Sequence, residues 1–458
     1  MRNTSRLLDI LDRMETGPLT DEKDFDMKHI AMGVKRVVKE FGIKFDGANP
    51  VNTDDDMADR CFRAAVKLVA EGGAYCKSNG RCLRWTEREI LEALDAAPNV
   101  LVVGADHEAR TVVQRRPEDA RAPQVIGGPL GGLVREDQYL ATMQSYIQEP
   151  LVDMLITGTL DTVYGRDPRA RSPWEILVGW HEAELALTAA RRAGREGIAM
   201  FCVSGASSDI AELSATSYGG FRPTDIHMVA MISEHKTSYD LLNKATHLVK
   251  TGSIIHAYCN TIYGGLAGGA EGIAVAETAG MIILQLIYMP ATHAGATYHP
   301  TLTCNTTLEN LWALGLCLQA LTRNTPMIVD GVNSPAAGPM TKLLLYEVAA
   351  AAVAYTASGA ARLMGPRTEA SKHISHVSPL EARFMGEVGR AAAGMSREQA
   401  NELVKQIEAR YHGQLGGDVK GVPFDEAYDL HTLRPRAAWV AMYDDVRDEM
   451  GALGLALR

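Results

Sequence analysis

The chain has 458 residues, 46% of them hydrophobic and 22% charged, with a formal net charge of −10. These proportions exclude disordered, collagen-like and coiled-coil classes and describe a globular enzyme whose core needs neither disulfides nor a structural metal. An acidic balance without basic excess excludes affinity built on phosphate backbone, so no nucleic-acid partner is expected.

Seven cysteines, an odd number spread along the chain, read as reduced thiols. The start Met1-Arg2-Asn3-Thr4-Ser5-Arg6 leads into a charged amphipathic segment and not a secretory apolar core. The longest apolar stretch, near Ala279–Ala291, is interrupted by Gln285 and Pro290. No run is expected to reach the roughly 18 residues of a membrane span. The expectation is a cytoplasmic protein with no membrane partner.

Residues 1–100 read as an N-terminal helical region packed on the rest of the chain. Apolar residues recur at helical spacing over Asp26–Phe41 and Asp54–Glu71, and Thr86 is placed to cap Glu87–Leu94. Beyond residue 100, short β-rich runs end in turn residues. They are Leu101–Gly104, Val125–Gly128, Val152–Gly158, Ile198–Gly205, Met228–Ser233, Ile254–Asn260, Met281–Met289 and Met327–Gly331. Helical patterns lie between them at Pro173–Arg192, Thr237–Thr251, Gly269–Ala279, Leu308–Leu321 and Met340–Ala360.

Strand, glycine-bearing turn and helix, repeated at roughly 25–45 residues, is the pattern of parallel βαβ units. About eight such strands predict an α/β fold, a (β/α)8 TIM-type barrel over residues 101–377, with an open doubly wound sheet as the alternative. The absence of GxGxxG after a first strand, and of a P-loop, counts against the open sheet. Leu380–Ala393, Arg397–Tyr411 and Arg436–Gly451 read as helices, so residues 378–458 are expected to pack on the barrel within the same unit.

Barrel chemistry sits where strands run into βα loops. That rule points to Ser204, Asp225, His227, the His256–Cys259 stretch, His293, His299 and Asn333-Ser334-Pro335. The glycines Gly264, Gly265, Gly268 and Gly269 let backbone amides approach an anion or a large flat ligand, or simply form a close-packed turn. His256, Cys259, His293, His299 and Cys304 are metal-ligand types, but strand residues three apart face opposite sides, so no metal is expected. Ser204-Gly205 is half a nucleophile elbow without the GxSxG pattern. Asp225 and His227 share a strand face, as an acid/base pair or as a satisfied structural hydrogen bond.

The segment EARFMGEVGRAAAGM (Glu381–Met395) sets Arg383, Glu387 and Arg390 at helical ion-pair spacing. It closely resembles the C-terminal helix region of the archaeal monomethylamine methyltransferase family. Counterparts at compatible spacing span nearly the whole chain. They include Asp26–Gly47, Gly73–Ile90, VIGGPLGG (Val125–Gly132), RSPWEIL (Arg171–Leu177), GGFRPTDIH (Gly219–His227), YGGLAGGAEG (Tyr263–Gly272), NSPAAGP (Asn333–Pro339) and YDDVRDEMGALGL (Tyr443–Leu455).

The resemblance implies a (β/α)8 barrel in a homo-oligomer, a hexamer in that family. It implies transfer of a methyl group from a methylated amine to Co(I) of a corrinoid (cobalamin) carried by a separate partner protein. The family's hallmark is a pyrrolysine inside the barrel, whose imine captures the amine. Carried back from Gly219-Gly220 without gaps, that position falls on Phe201; matched to Val203-Ser204-Gly205, it falls on Ser204. Neither side chain forms an imine. Two family glutamates fall on Met228 and Tyr258, and a glutamine on Val332 beside Asn333.

An acidic, amine-binding shell has thus become aromatic and apolar. A primary amine needs capture or protonation before it leaves, whereas a quaternary ammonium departs as a neutral amine. Phe201 and Tyr258 would hold such a cation against ring faces, worth roughly 0.5–2 kcal/mol per ring. Tyr258 can alternatively hydrogen-bond a carboxylate or ether oxygen of the substrate.

The expected activity is corrinoid-dependent methyl transfer from a small methylated donor without pyrrolysine. His227, Tyr258 and Ser204 are the candidate catalytic residues. Phe201, Met228, Tyr258, Val332, Asn333, His293 and His299 are placed around the substrate, and Gly264, Gly265, Gly268 and Gly269 toward the cofactor. The alternatives are a barrel redirected to lyase or hydrolase chemistry, and a non-catalytic homologue that binds a ligand or a corrinoid protein.

Overall fold

Eight parallel strands follow one another in chain order and close on themselves: β1 Gln124–Gly127, β2 Met154–Ile156, β3 Ala199–Cys202, β4 Ile226–Ala230, β5 Ile254–Ile262, β6 Thr292–Tyr298, β7 Val329–Val332 and β8 Arg362–Gly365. Pairing of β8 with β1 completes the barrel. The computed structural model describes residues 2–202 and 209–457, with side chains from residue 4 onward.

Each strand sends alternate side chains to two different cores. Ile126, Met154, Ile156, Phe201, Met228, Ala294, Val332 and Met364 fill the barrel as one cluster. Val125, Leu155, Met200, Val229, Ile255, Ala257 and Leu363 face outward into the larger core beneath the helices. Strands buried on both faces read as continuous apolar runs, and this is the reason the βα cadence was visible in the sequence.

Two of the expected strands lie elsewhere. The Leu101–Gly104 run belongs to a strand, Val100–Val103, that pairs antiparallel with Arg110–Val113 outside the barrel. The Met281–Met289 run lies mostly inside a helix ending at Tyr288. Their places are taken by β6 (THAGATY) and β8 (RLMG), whose polar and small residues carry no apolar run to recognise. A short buried helix segment and a buried strand look alike by periodicity.

The helices around the barrel and its mouth include α1 Met32–Phe41, α2 Asp55–Gly72, α3 Ile210–Ala215, α4 Ala270–Tyr288, α5 Leu308–Asn324, α6 Lys342–Ala357 and α7 Pro379–Ala392. Thr86 caps Glu87–Asp95 as expected, in a reciprocal capping box with Glu89. At 19 residues α4 is long and apolar enough to span a membrane, contrary to the expectation that no segment reaches that length. It is a core helix instead, packed against α2, α5, β5 and β6 with 94% of its apolar window buried. All seven cysteines are buried and unbridged.

Candidate active site

β7 and β8 set Asp330 and Arg362 facing each other inside the barrel. Arg362 donates from Nε and Nη2 to the two Asp330 oxygens at 2.9 and 2.6 Å, with no exposed surface on either side chain. His256 of β5 shares a 2.8 Å hydrogen bond between Nδ1 and Thr292 Oγ1 and lies 3.7 Å from Asp330. Burial, and then the Arg362 charge, hold His256 well below the ordinary imidazole range, so its ring stays neutral.

Phe201 completes this layer. Its ring meets His256 edge-on at 4.6 Å, and the Arg362 guanidinium lies 5.8 Å from its centroid. Fully buried and already contacted by a cation, Phe201 is part of the barrel floor and not the open aromatic wall expected from the sequence.

Toward the C-terminal ends of the strands the interior becomes a partly open mouth. Tyr258 of β5 and Tyr298 of β6 keep some exposed surface while packing on the inner cluster that contains Met228 and Val332. The Tyr298 hydroxyl lies 2.8 Å from Ser334 Oγ and accepts a hydrogen bond from Arg367 Nη1 at 3.3 Å. Arg367 also donates from Nε to Ser371 at 2.9 Å, and its backbone N–H reaches Asn333 O at 2.8 Å. Burial, and then Tyr298, push the Tyr258 hydroxyl well above the ordinary phenol range, so it remains a neutral donor.

Met228, Tyr258 and Val332, the three positions singled out by resemblance, are therefore brought together on the inner face. Other candidates are not. His227 points outward, with Nδ1 3.1 Å from Glu212 of α3 and Nε2 2.9 Å from Arg222 O. Asp225 accepts from Arg222 and from the Met200 amide, so the two residues form structural bonds and no acid/base pair at the mouth. His293 also faces outward. Its Nε2 lies 3.0 Å from Gln285 Oε1, and burial pulls its ring down to about 3.

The Asn333 side chain turns to Val348 O on α6, and only its backbone reaches the mouth, through Arg367. His299 sits in the loop just past β6, stacked on Tyr263 at 5.4 Å, with Nδ1 accepting from the Leu302 amide. Ser204 lies outside the described residues.

Three of the four glycine amides expected to meet a cofactor are engaged within the turn itself. Gly264 donates to Gly268 O at 2.8 Å, Gly265 to Ile262 O at 2.9 Å and Gly268 to Gly265 O at 3.1 Å. Gly269 precedes the first turn of α4. The turn borders a groove of about 530 Å³ that it shares with Val34, Lys35 and Lys39 of α1, on the outside of the barrel.

The histidines and cysteines raised as metal ligands do not converge, because Cys259 faces out onto Glu277 and His256 faces in. Among the described residues, two other sets gather metal-ligand atoms within 4.8 Å of one another: Cys202, Glu212 and His227 behind β3 and β4, and Glu369, His373 and His376 in the loop after β8. The first is fully buried; the second opens to solvent at His373.

Sequence reasoning passed over Tyr298 and Arg367. Tyr298 adjoins the flagged His299 and faces inward by alternation from Ala294. Arg367 follows a strand that carried no apolar signature.

A closed (β/α)8 barrel whose polar cluster lies at the C-terminal mouth defines a TIM-barrel enzyme. A family model described as monomethylamine methyltransferase MtmB matches residues 6–455, and the chain belongs to this methyltransferase family. Monomethylamine methyltransferase MtmB1 of Methanosarcina barkeri is 30% identical over 447 residues, covering 98% of this chain and 97% of the relative. MtmB2 of Methanosarcina acetivorans is 30% identical over the same shares. The crystal structure of the Methanosarcina barkeri enzyme superposes with a TM-score of 0.95 at 30% identity, over 98% of each chain. The structure of a hydroxylamine complex of MtmB gives a TM-score of 0.96. Both the family resemblance and the barrel read from the sequence are thereby borne out.

Proposed function

We propose that this chain moves a methyl group from a quaternary-ammonium donor to the Co(I) of a corrinoid held by a separate protein, without pyrrolysine. One observation carries the reading. Met228, Tyr258 and Val332 share the inner face at the mouth, where the resemblance places two glutamates and a glutamine in relatives that act on monomethylamine.

The chemistry agrees with an apolar, aromatic mouth. The C–N bond breaks with its electron pair left on nitrogen, so the amine leaves neutral and needs no general acid. Phe201 and the Arg362–Asp330 pair close the floor, and neutral His256 adds no second charge there. Tyr258 presents a ring to the cation, and the protein's main contribution is to hold the methyl group in line with its acceptor. A corrinoid protein as partner and a homo-oligomeric, cytoplasmic state belong to the same reading. Seven unbridged cysteines support a reducing compartment.

The test is anaerobic incubation with cob(I)alamin, alone and on a corrinoid protein, read by the cobalamin absorbance. The donors are mono-, di- and trimethylamine, tetramethylammonium, choline, glycine betaine and a methoxylated aromatic. Methylation from a quaternary donor and none from monomethylamine is expected. Methylation from monomethylamine, or silence across the panel in both formats, overturns the proposal.

A further inference from the structure

Arg367 is the second residue after β8 and sits beside the two tyrosines of the mouth. Its Nη1 donates to Tyr298 and its Nε to Ser371; Nη2 has no partner among the described residues. No described carboxylate lies within ion-pair distance of it. The fully buried arginines, by contrast, are matched. Arg362 has both oxygens of Asp330, and Arg115 donates to the carbonyls of Arg121, Thr356, Ala360 and Asp119.

Arg367 is half-buried, with Nη2 turned to the mouth and no counter-charge beside it, and the planar fork of a guanidinium suits the two oxygens of a carboxylate. A guanidinium keeps its proton far above the physiological range, so Arg367 stays cationic there although partial burial opposes the charge. A positive charge beside a site for a cation would repel a simple quaternary amine. It attracts a zwitterion.

We propose that Arg367, aligned by Tyr298 and Ser371 and assisted by the Tyr258 hydroxyl, is a carboxylate subsite, and that the methyl donor is a betaine: a quaternary ammonium joined to a carboxylate by a short chain. The inference rests on the quaternary-ammonium reading and adds the second end of the substrate. The methylated nitrogen faces Tyr258 and Met228, with Val332 packed behind them, while the carboxylate meets Nη2 of Arg367. Transfer leaves an N,N-dialkyl amino acid, its carboxylate still held while the neutral amine forms.

The test is titration calorimetry on the full chain without corrinoid, using glycine betaine and choline, which share the trimethylammonium group and differ in the carboxylate. Wild type is expected to bind glycine betaine at least about ten-fold more tightly than choline. Loss of a charge-assisted hydrogen bond in Arg367→Met should weaken glycine betaine on the order of 10- to 100-fold and leave choline no weaker. Tyr298→Phe keeps the ring and removes the hydroxyl that orients Arg367. It provides the same comparison, with a smaller loss for glycine betaine, if Arg367→Met fails to fold.

Equal binding of the two probes, binding of neither, or retained preference in both variants overturns the subsite. The cob(I)alamin assay separates this failure from failure of the activity. Methyl transfer from choline or tetramethylammonium without preference for glycine betaine overturns the subsite alone. Selective, Arg367-dependent binding without transfer upholds the subsite and overturns the reaction.

Discussion

Arg362 and Asp330 meet inside the barrel through hydrogen bonds of 2.9 and 2.6 Å, and neither side chain has any exposed surface. A buried pair of this kind acts as a unit. Removing one partner leaves an uncompensated charge in a low dielectric, at about 3–5 kcal/mol, whereas replacing both with apolar groups is much milder. Asp330→Asn is expected to destabilise the chain by that amount, and the double variant Asp330→Leu, Arg362→Met to recover most of it. Urea denaturation of the single and double variants measures this. Additive losses would show that the two residues do not act as a pair.

Tyr258 presents the aromatic face that the proposed donor would meet. Tyr258→Leu is expected to raise KM for a quaternary donor by roughly 2- to 30-fold, the value of one cation–ring contact, with a smaller change in kcat. Tyr258→Phe keeps the ring and should stay near wild type in KM for donors without a carboxylate. Steady-state rates with both variants decide between the ring and the hydroxyl; equal losses assign the role to the hydroxyl.

Much of this site was open to sequence reasoning, and the part that was not has a definite cause. The barrel cadence and the trio Met228, Tyr258 and Val332 came through because strand order and family alignment survive small errors of register. Which way a residue faces does not survive them. In a strand buried on both sides there is no polar alternation to mark the inner face, so His227 and His293 looked as eligible as Met228 and Ala294. β8 begins with Arg362, a charged residue whose partner Asp330 lies 32 positions earlier, and nothing local announces that pairing. With that strand unread, Arg367 had no strand end to be assigned to.

The glycine turn after β5 gives a prediction that separates packing from cofactor binding. A Cβ on Gly272 would stand 1.7 Å from Ala267 O and 3.3 Å from Val34, so Gly272→Ala must push the turn off the start of α4. The expected cost is about 2–3 kcal/mol. Gly264 and Gly268 have φ of 74° and 83° with open space around a Cβ, so alanine there costs only about 1 kcal/mol of backbone strain. Thermal melts should rank the variants in that order, with methyl transfer unchanged in Gly264→Ala and Gly268→Ala. Lost transfer at full stability in either would restore a cofactor role for the turn.

Glu277 lies wholly buried between α4 and the outer face of β5 and β6, and the Cys259 thiol donates to its Oε1 at 3.4 Å. Gly295 makes room for it, since a Cβ there would stand 1.9 Å from Oε1. Burial pushes this carboxyl up to about 8, against the opposing pull of the hydrogen bond from Cys259. Its folded pKa therefore exceeds the ordinary value of 4.5, and the native state keeps a proton that the unfolded chain has lost. Stability from this group is complete below that ordinary value, is lost progressively as pH rises toward about 8, and is constant above it. Glu234 and Glu347, both raised to about 7 by burial, act with the same sign. Wild type is expected to lose up to about 4 kcal/mol through Glu277 between about pH 5 and about pH 9. Glu277→Gln cannot ionise, so its stability should fall less over the same range, and the gap between the two urea midpoints should change steadily with pH. Parallel curves would mean that Glu277 titrates alike in the folded and unfolded chain, contrary to its burial.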